Sequence, residues 1–266
     1  MDSEKRTHRQ PSGSGDIEDP SRPIIGTQGQ MNSGLEVVPH RHVRAQLAFA
    51  AEGVIRVITD TGTWLIPPQQ AVWIPGNILH HVVAETDVLV QHLHIDASVA
   101  ARYPTVCAVM DVPPLVRELI KRVVNFTQHY SPDGREARLV HVLMDELEAL
   151  QPAELYLPLA KDRRILRIMQ RLMQDPANEQ SAQAWAQEVG ASRRTLTRLF
   201  QKETNMSFNA WRKQLRLQEA INRLSRGDSV TDVALSLGYA SPSAFVAMFR
   251  QTLGKPPKQF FQEQLS

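Results

Sequence analysis

The sequence has one cysteine, Cys107, in 266 residues. An internal disulfide is therefore excluded, which fits a reducing, cytoplasmic setting. No apolar run approaches the ~18–20 residues of a membrane-spanning helix. The first twenty residues, MDSEKRTHRQPSGSGDIEDP, lack the apolar core of a secretory signal peptide. Aromatic residues make up only 6% of the chain, while 42% is apolar and 22% charged. That balance excludes collagen-like, mucin-like and wholly disordered chains and suits a globular protein of two ordinary domains. The net charge of +2 looks uninformative until the chain is divided. Residues 159–266 hold 17 Lys and Arg against 9 Asp and Glu; residues 1–158 hold 13 against 19. A basic module beside an acidic one points to a polyanionic partner for the basic half alone.

Composition divides the chain at similar places. Residues 1–22 are polar and rich in Pro, Ser, Gly and charge, and read as a disordered tail. Residues 23–112 favour short strands, GVIRVIT, TWLIP, AVWIP and DVLVQHLHI, punctuated by Gly, Pro and Asp. Such spacing predicts an antiparallel barrel or sandwich. After Pro113-Pro114 the period becomes helical: Leu115, Leu119, Val123 and Phe126 share a face, and Val140, Leu143, Met144, Leu147 and Leu150 form a second stripe. Residues 113–158 thus form a helical linker segment whose stripe covers either its own barrel or a second protomer. Residues 159–266 read as short helices throughout. The fold class expected is α+β, an N-terminal antiparallel β-barrel with following helices and then an all-α domain.

The all-α part repeats itself. Ala186 stands four residues before Gly190, and Ala234 four before Gly238. Each glycine can end a helix in the left-handed conformation, and Ser192 and Ser241 then stand where the next helix needs a cap. Pro242 fits the first position of that helix. Leu196 and Phe200, like Phe245 and Phe249, form i, i+4 pairs for a core. Two helix-turn-helix motifs 48 residues apart are joined by an amphipathic stretch, Phe208 to Leu224, about 25 Å long as a helix. Its apolar positions include Trp211, Leu215, Leu217, Ala220 and Ile221. Paired recognition helices so joined suit successive major grooves, about 34 Å apart on one face of DNA.

On the second motif the exposed positions are Pro242, Ser243, Ala244, Ala247 and Arg250; on the first they are Arg193, Arg194, Thr197, Arg198 and Gln201. Arginine can make paired bonds to guanine, whereas alanine offers only a methyl contact. The first motif is therefore expected to supply most base readout. The second is expected to add Ser243, methyl contact at Ala247 and phosphate contact at Arg250.

Residues 162–261 resemble the DNA-binding domain of AraC/XylS-type transcriptional regulators. The resemblance rests on Val233-Ala234, Gly238-Tyr239, Phe245, Phe249-Arg250, Gly254, Pro257 and Phe260. It implies bipartite recognition of double-stranded DNA, a regulator that works as a homodimer, and RNA polymerase as a candidate partner. By position, Arg194, Thr197 and Arg198 match the base-contacting sites of that family. Phe261 departs from it, standing where members frequently carry arginine.

Six of the nine histidines fall between 40 and 94. His40-Arg41-His42 places two imidazoles on one strand face. Gln46 follows, and Pro75-Gly76-Asn77 leads to His80. The spacing resembles the cupin pattern, His-x-His-x3-Glu and a later turn with histidine, with glutamine in place of the carboxylate. It implies a divalent metal (Zn²⁺, Ni²⁺, Co²⁺ or Fe²⁺) held by His40, His42, His80 and, more weakly, Gln46. An effector pocket without metal would use the same residues. His92 and His94 share another strand face with no third partner evident. The function expected is a transcriptional regulator, not an enzyme, controlled by a small molecule or metal in the β domain. The alternative is a metal-dependent cupin enzyme with an appended helical module.

Overall fold

The computed structural model describes residues 8–11, 13–153 and 155–262. The chain divides into two units, residues 1–60 with 64–156, and 61–63 with 157–266. In chain order the strands are β1 (His8–Arg9), β2 (Ile24–Met31), β3 (Glu36–His40), β4 (Ala45–Glu52), β5 (Ile55–Ile58) and β6 (Gly62–Ile66). They continue with β7 (Gln70–Ile74), β8 (His80–Ala84), β9 (Val88–Ile95), β10 (Ala108–Asp111), β11 (Pro152–Ala153) and β12 (Tyr156–Pro158). They form two six-stranded sheets, β1-β3-β8-β5-β6-β12 and β11-β10-β7-β4-β9-β2. The pairs β3–β8, β5–β8, β4–β7, β4–β9 and β2–β9 are antiparallel, and β1 joins β3 in parallel. The antiparallel β domain is present as expected, but the strands do not close into a barrel. Each sheet keeps two edges.

β4 is buried on both faces because its alternate residues meet different neighbours. Ala45, Leu47 and Phe49 join Leu93 and Ile95 of β9 in a core covered by the helices α2 (Pro114–Val123) and α3 (Arg135–Glu148). Gln46 pairs across with His94, and Ala48 with His92, on the opposite face. A short helix α1 (Ala97–Ala100) is capped by Asp96, which accepts from Ser98 N at 3.0 Å. On α2 the buried face is Val116, Leu119, Ile120 and Val123; Leu115, expected on it, is 54% exposed. On α3 the stripe Val140, Leu143, Met144 and Leu147 is buried within this same unit. Of the two partners open to that stripe, its own β domain is the one it covers.

The segment expected as a disordered tail is folded where it is described. A 3-10 turn, Ser14–Asp16, buries Ser14 and Gly15. The cause is Arg44, 1% exposed. Its guanidinium donates to the carbonyls of Ile17 at 2.6 Å, Asp19 at 2.9 Å and Arg22 at 3.0 Å, and pairs with Asp96 at 3.0 Å. Arg44 N also donates to the Gly15 carbonyl at 3.0 Å. A buried cation demands such partners, and residues 15–22 supply them. Residues 1–7 and 12 of that segment lie outside the described residues.

The second unit holds α4 (Arg163–Gln174), α5 (Ala182–Glu188), α6 (Arg193–Thr204), α7 (Phe208–Ser225), α8 (Val230–Ser236), α9 (Pro242–Leu253) and α10 (Pro257–Gln262). Six of these begin at a side-chain cap: Asp162, Ser181, Ser192, Ser207, Ser229 and Ser241 each accept from a backbone N–H of the first turn. Ile165, Ile168, Met169 and Leu172 of α4 pack with Trp185, Leu196, Phe200, Trp211 and Leu215. Trp211 Nε1 donates to the Pro158 carbonyl at 2.8 Å. Farther along α7, Leu217, Ala220 and Ile221 are buried, as are Val233, Ala234, Phe245 and Phe249 of the second motif. The connecting helix therefore contributes to the cores of both motifs.

Replacing Arg44 by Met removes the cation, leaves the Asp96 carboxylate without its charge partner and takes a donor from the Ile17, Asp19 and Arg22 carbonyls. A loss of about 3–5 kcal/mol is expected, read as a lower urea midpoint. An unchanged midpoint contradicts this account of the N-terminal segment.

Candidate functional site

The two helix-turn-helix motifs share one local geometry. The first helix has 7 residues and the second 12 in each copy. Gly190 takes φ 66° and Gly238 φ 77°, a region glycine enters without a Cβ penalty. The chain then reverses: Ala191 N donates to the Ala186 carbonyl at 2.8 Å, and Tyr239 N to the Ala234 carbonyl at 3.0 Å. This six-to-one bond closes a Schellman turn in both copies, and the residue that accepts it, Ala186 or Ala234, is fully buried, where a small side chain fits. Ser192 and Ser241 then cap α6 and α9.

The turn fixes which face of α6 is outward. Leu196 and Phe200 are fully buried, while Arg193, Arg194, Thr197, Arg198 and Gln201 are exposed. Those five and Lys202 line one open concavity. Among the described residues, no hydrogen bond or ion pair engages the guanidinium of Arg193, Arg194 or Arg198. Neighbouring arginines differ: Arg171 pairs with Glu188, Arg216 donates to the Pro176 carbonyl at 2.8 Å, and Arg223 pairs with Asp228 at 2.7 Å. Those three brace the unit; the α6 arginines present a row of donors. Lys202 was not singled out in the sequence, although its spacing of four from Arg198 marks the same face. On α9, Ser243, Ala247 and Arg250 are exposed and Pro242 is half-buried.

The histidine site lies inside the β domain. His40 stands opposite His80 in the β3–β8 ladder, and Asn77 N donates to the His42 carbonyl at 2.8 Å, tying the turn before β8 to His42. His40, His42 and His80 each bring a ring nitrogen within 4.8 Å of the others. Each Nδ1 stands against a backbone carbonyl: His40 with Val38 at 2.8 Å, His42 with Arg44 at 2.6 Å, His80 with Ile78 at 2.9 Å. Donation from Nδ1–H fixes the tautomer and leaves the lone pair on Nε2, as in metal-ligating histidines. His80 Nε2 is buried without a hydrogen-bond partner among the described residues. A bound ion at 2.0–2.1 Å would hold such nitrogens about 3.3 Å apart, so the rings must close in slightly. The donor set fits a divalent transition metal.

Gln46, expected as a fourth ligand, instead bridges two rings. Its amide oxygen is 2.8 Å from His42 Nε2 and its nitrogen 2.6 Å from His92 Nδ1. With its Nδ1 hydrogen on the Arg44 carbonyl, His42 has one lone pair at Nε2, so it ligates a metal only when Gln46 turns away from it. His92 and His94, left apart in the sequence, face the same interior, with the His94 ring 5.6 Å from that of His42. His81 points away, 3.4 Å from Glu36. Burial holds His40 below its usual pKa, His80 at about 3, His92 at about 4 and His94 well below its ordinary value. These four rings are neutral at pH 7, the form that binds metal. Beside them lies a cavity of about 130 Å³, walled by Met31, Val37, Val82 and Val90 and by the N-terminal segment at Arg9, Gly13, Gly15 and Asp16.

Two family models match the chain, a helix-turn-helix domain over residues 185–263 and an AraC-like ligand binding domain over 27–151. The chain is 36% identical over 221 residues to the HTH-type transcriptional regulator NimR of Escherichia coli, covering 83% of this chain and 81% of that protein. It is 34% identical over 108 residues to the HTH-type transcriptional regulator RipA of Corynebacterium glutamicum, covering 41% of this chain and 33% of that one. Among solved structures, ToxT of Vibrio cholerae is a loose likeness, with a TM-score of 0.38 at 12% identity over 90% of this chain and 98% of that chain.

Proposed function

Because the chain belongs to the AraC-type family of transcriptional regulators, we propose that it reads a bipartite operator chiefly through α6 and is switched by an effector in its β domain. Membership makes it a regulator with a ligand-binding domain, and the metal-dependent enzyme considered as an alternative is set aside. The observation that carries the DNA reading is the row of unengaged donors on α6. Arg194 and Arg198, with Thr197 between them, supply base contacts; Arg193, Gln201 and Lys202 extend the same face. Ser243 and Ala247 of α9 add a hydroxyl and a methyl contact, and Arg250 a phosphate contact. Action as a homodimer in the cytoplasm, with RNA polymerase as partner at target promoters, belongs to the same reading. Among the described residues, no helix is long and apolar enough to cross a membrane.

In the β domain, His40, His42 and His80 hold one divalent ion of the Zn, Ni, Co or Fe type, and the adjoining cavity takes the effector. The ion supplies a fixed positive charge with an open ligand position. The carbonyls of Val38, Arg44 and Ile78 fix the imidazole tautomers. Effector binding shifts transcription to the extent that it favours one state of the regulator over another.

Mobility-shift titrations of the full chain on DNA it selects from random sequence test the readout. Arg198→Ala is expected to lower discrimination between selected and random DNA by about 1–3 kcal/mol, whereas Arg250→Ala weakens both alike. Undiminished discrimination in Arg198→Ala contradicts the assignment. Elemental analysis of protein purified without chelator tests the metal: about one ion per chain is expected. A Cβ on Gly15 would lie 2.5 Å from His42 Cγ, so Gly15→Ala displaces that ring and loses the ion with all three ligands still in the sequence. Metal-free wild-type protein overturns the metal reading.

A further inference from the structure

The residues around the histidine site are short of negative charge. Imidazole ligands bring no negative charge, and among the described residues no carboxylate joins the ligand cluster. Gln46, at the position where a glutamate would offset one charge, is neutral and occupied with His42 and His92. The cavity wall adds two guanidiniums, Arg9 and Arg41, against one carboxylate, that of Asp16. The other buried cation nearby, Arg44, is already matched by Asp96 at 3.0 Å. A divalent ion there keeps its full charge in a protected interior, where an uncompensated charge is costly.

Size and lining narrow the compensating group. About 130 Å³ suits a compact guest on the scale of a single ring. Met31, Val37, Val82 and Val90 form one apolar stretch of a wall whose remainder is largely polar, with Gln10, Thr27, Gln28 and the histidines. His94, 4% exposed, has neither ring nitrogen hydrogen-bonded among the described residues. It faces the same cavity with an N–H to give.

Resting on the metal reading above, we propose that the effector is a small monocarboxylate with a compact apolar body. One carboxylate oxygen takes the open position on the ion, the other accepts from His94, and the apolar body fills the valine- and methionine-lined end. The carboxylate supplies the charge that Gln46 does not.

The test uses the full chain loaded with Co²⁺, whose visible spectrum reports its ligands, titrated with benzoate and isobutyrate and with their neutral counterparts benzamide and isobutyramide. The expected result is a shift of the cobalt bands by the acids at concentrations at least tenfold below any effect of the amides. In His94→Leu, cobalt uptake is retained and the benzoate midpoint rises about tenfold. Cobalt bound with bands indifferent to the acids, or answering acids and amides alike, overturns this inference and leaves the metal reading standing. No cobalt uptake overturns both.

Discussion

The DNA-binding unit depends on one backbone constraint used twice: a residue that must turn left-handed between two helices. Gly190 and Gly238 meet it, and the six-to-one bond to Ala186 or Ala234 locks the reversal. Everything outward follows from that turn. The serine cap two or three residues later fixes where α6 and α9 begin. Their starting points fix the rotation that buries Leu196 and Phe200, or Phe245 and Phe249, and turns the arginines of α6 outward. α7 then has a motif to support near each end, which is why its buried residues run from Phe208 to Asn222.

The β domain is governed by alternation. Along β4 and β9 one set of side chains meets α2 and α3 while the other set, Gln46, His92 and His94, faces His42 in the connection between β3 and β4. A single strand pair thus carries a dry helical interface on one face and an imidazole-lined cavity on the other. Arg44 links the two ends of this arrangement. It stands two residues from both His42 and Gln46, and its hydrogen bonds hold residues 15–22 in place, so that the segment before them becomes part of the cavity wall.

Much of the helical unit was legible in the sequence because its determinants are local. Glycine conformation, serine capping and i, i+4 spacing act within a few residues, and the repeat displayed them twice. The triad His40, His42 and His80 was legible for a mixed reason: two members stand two residues apart, and the turn before His80 resembles a known pattern; the single strand face expected for the pair is not formed, since β3 ends at His40 and His42 lies just beyond it. What stayed hidden is long-range. The register that sets Gln46 against His94 cannot be read from either strand alone. Neither can the folding of residues 13–22, whose polar composition suits a tail until a buried guanidinium needs their carbonyls. The two-sheet arrangement in place of a barrel, and the rotation that exposes Leu115, depend on neighbours distant in sequence.

Hydroxyl-radical footprinting of the full chain on a selected operator tests the central claim most directly, since it maps backbone contacts one turn at a time. Two recognition helices on one connecting helix predict two protected patches per chain, about 10 base pairs apart on the same face of the duplex. Protection confined to one patch per chain, or spread without helical phase, would contradict it.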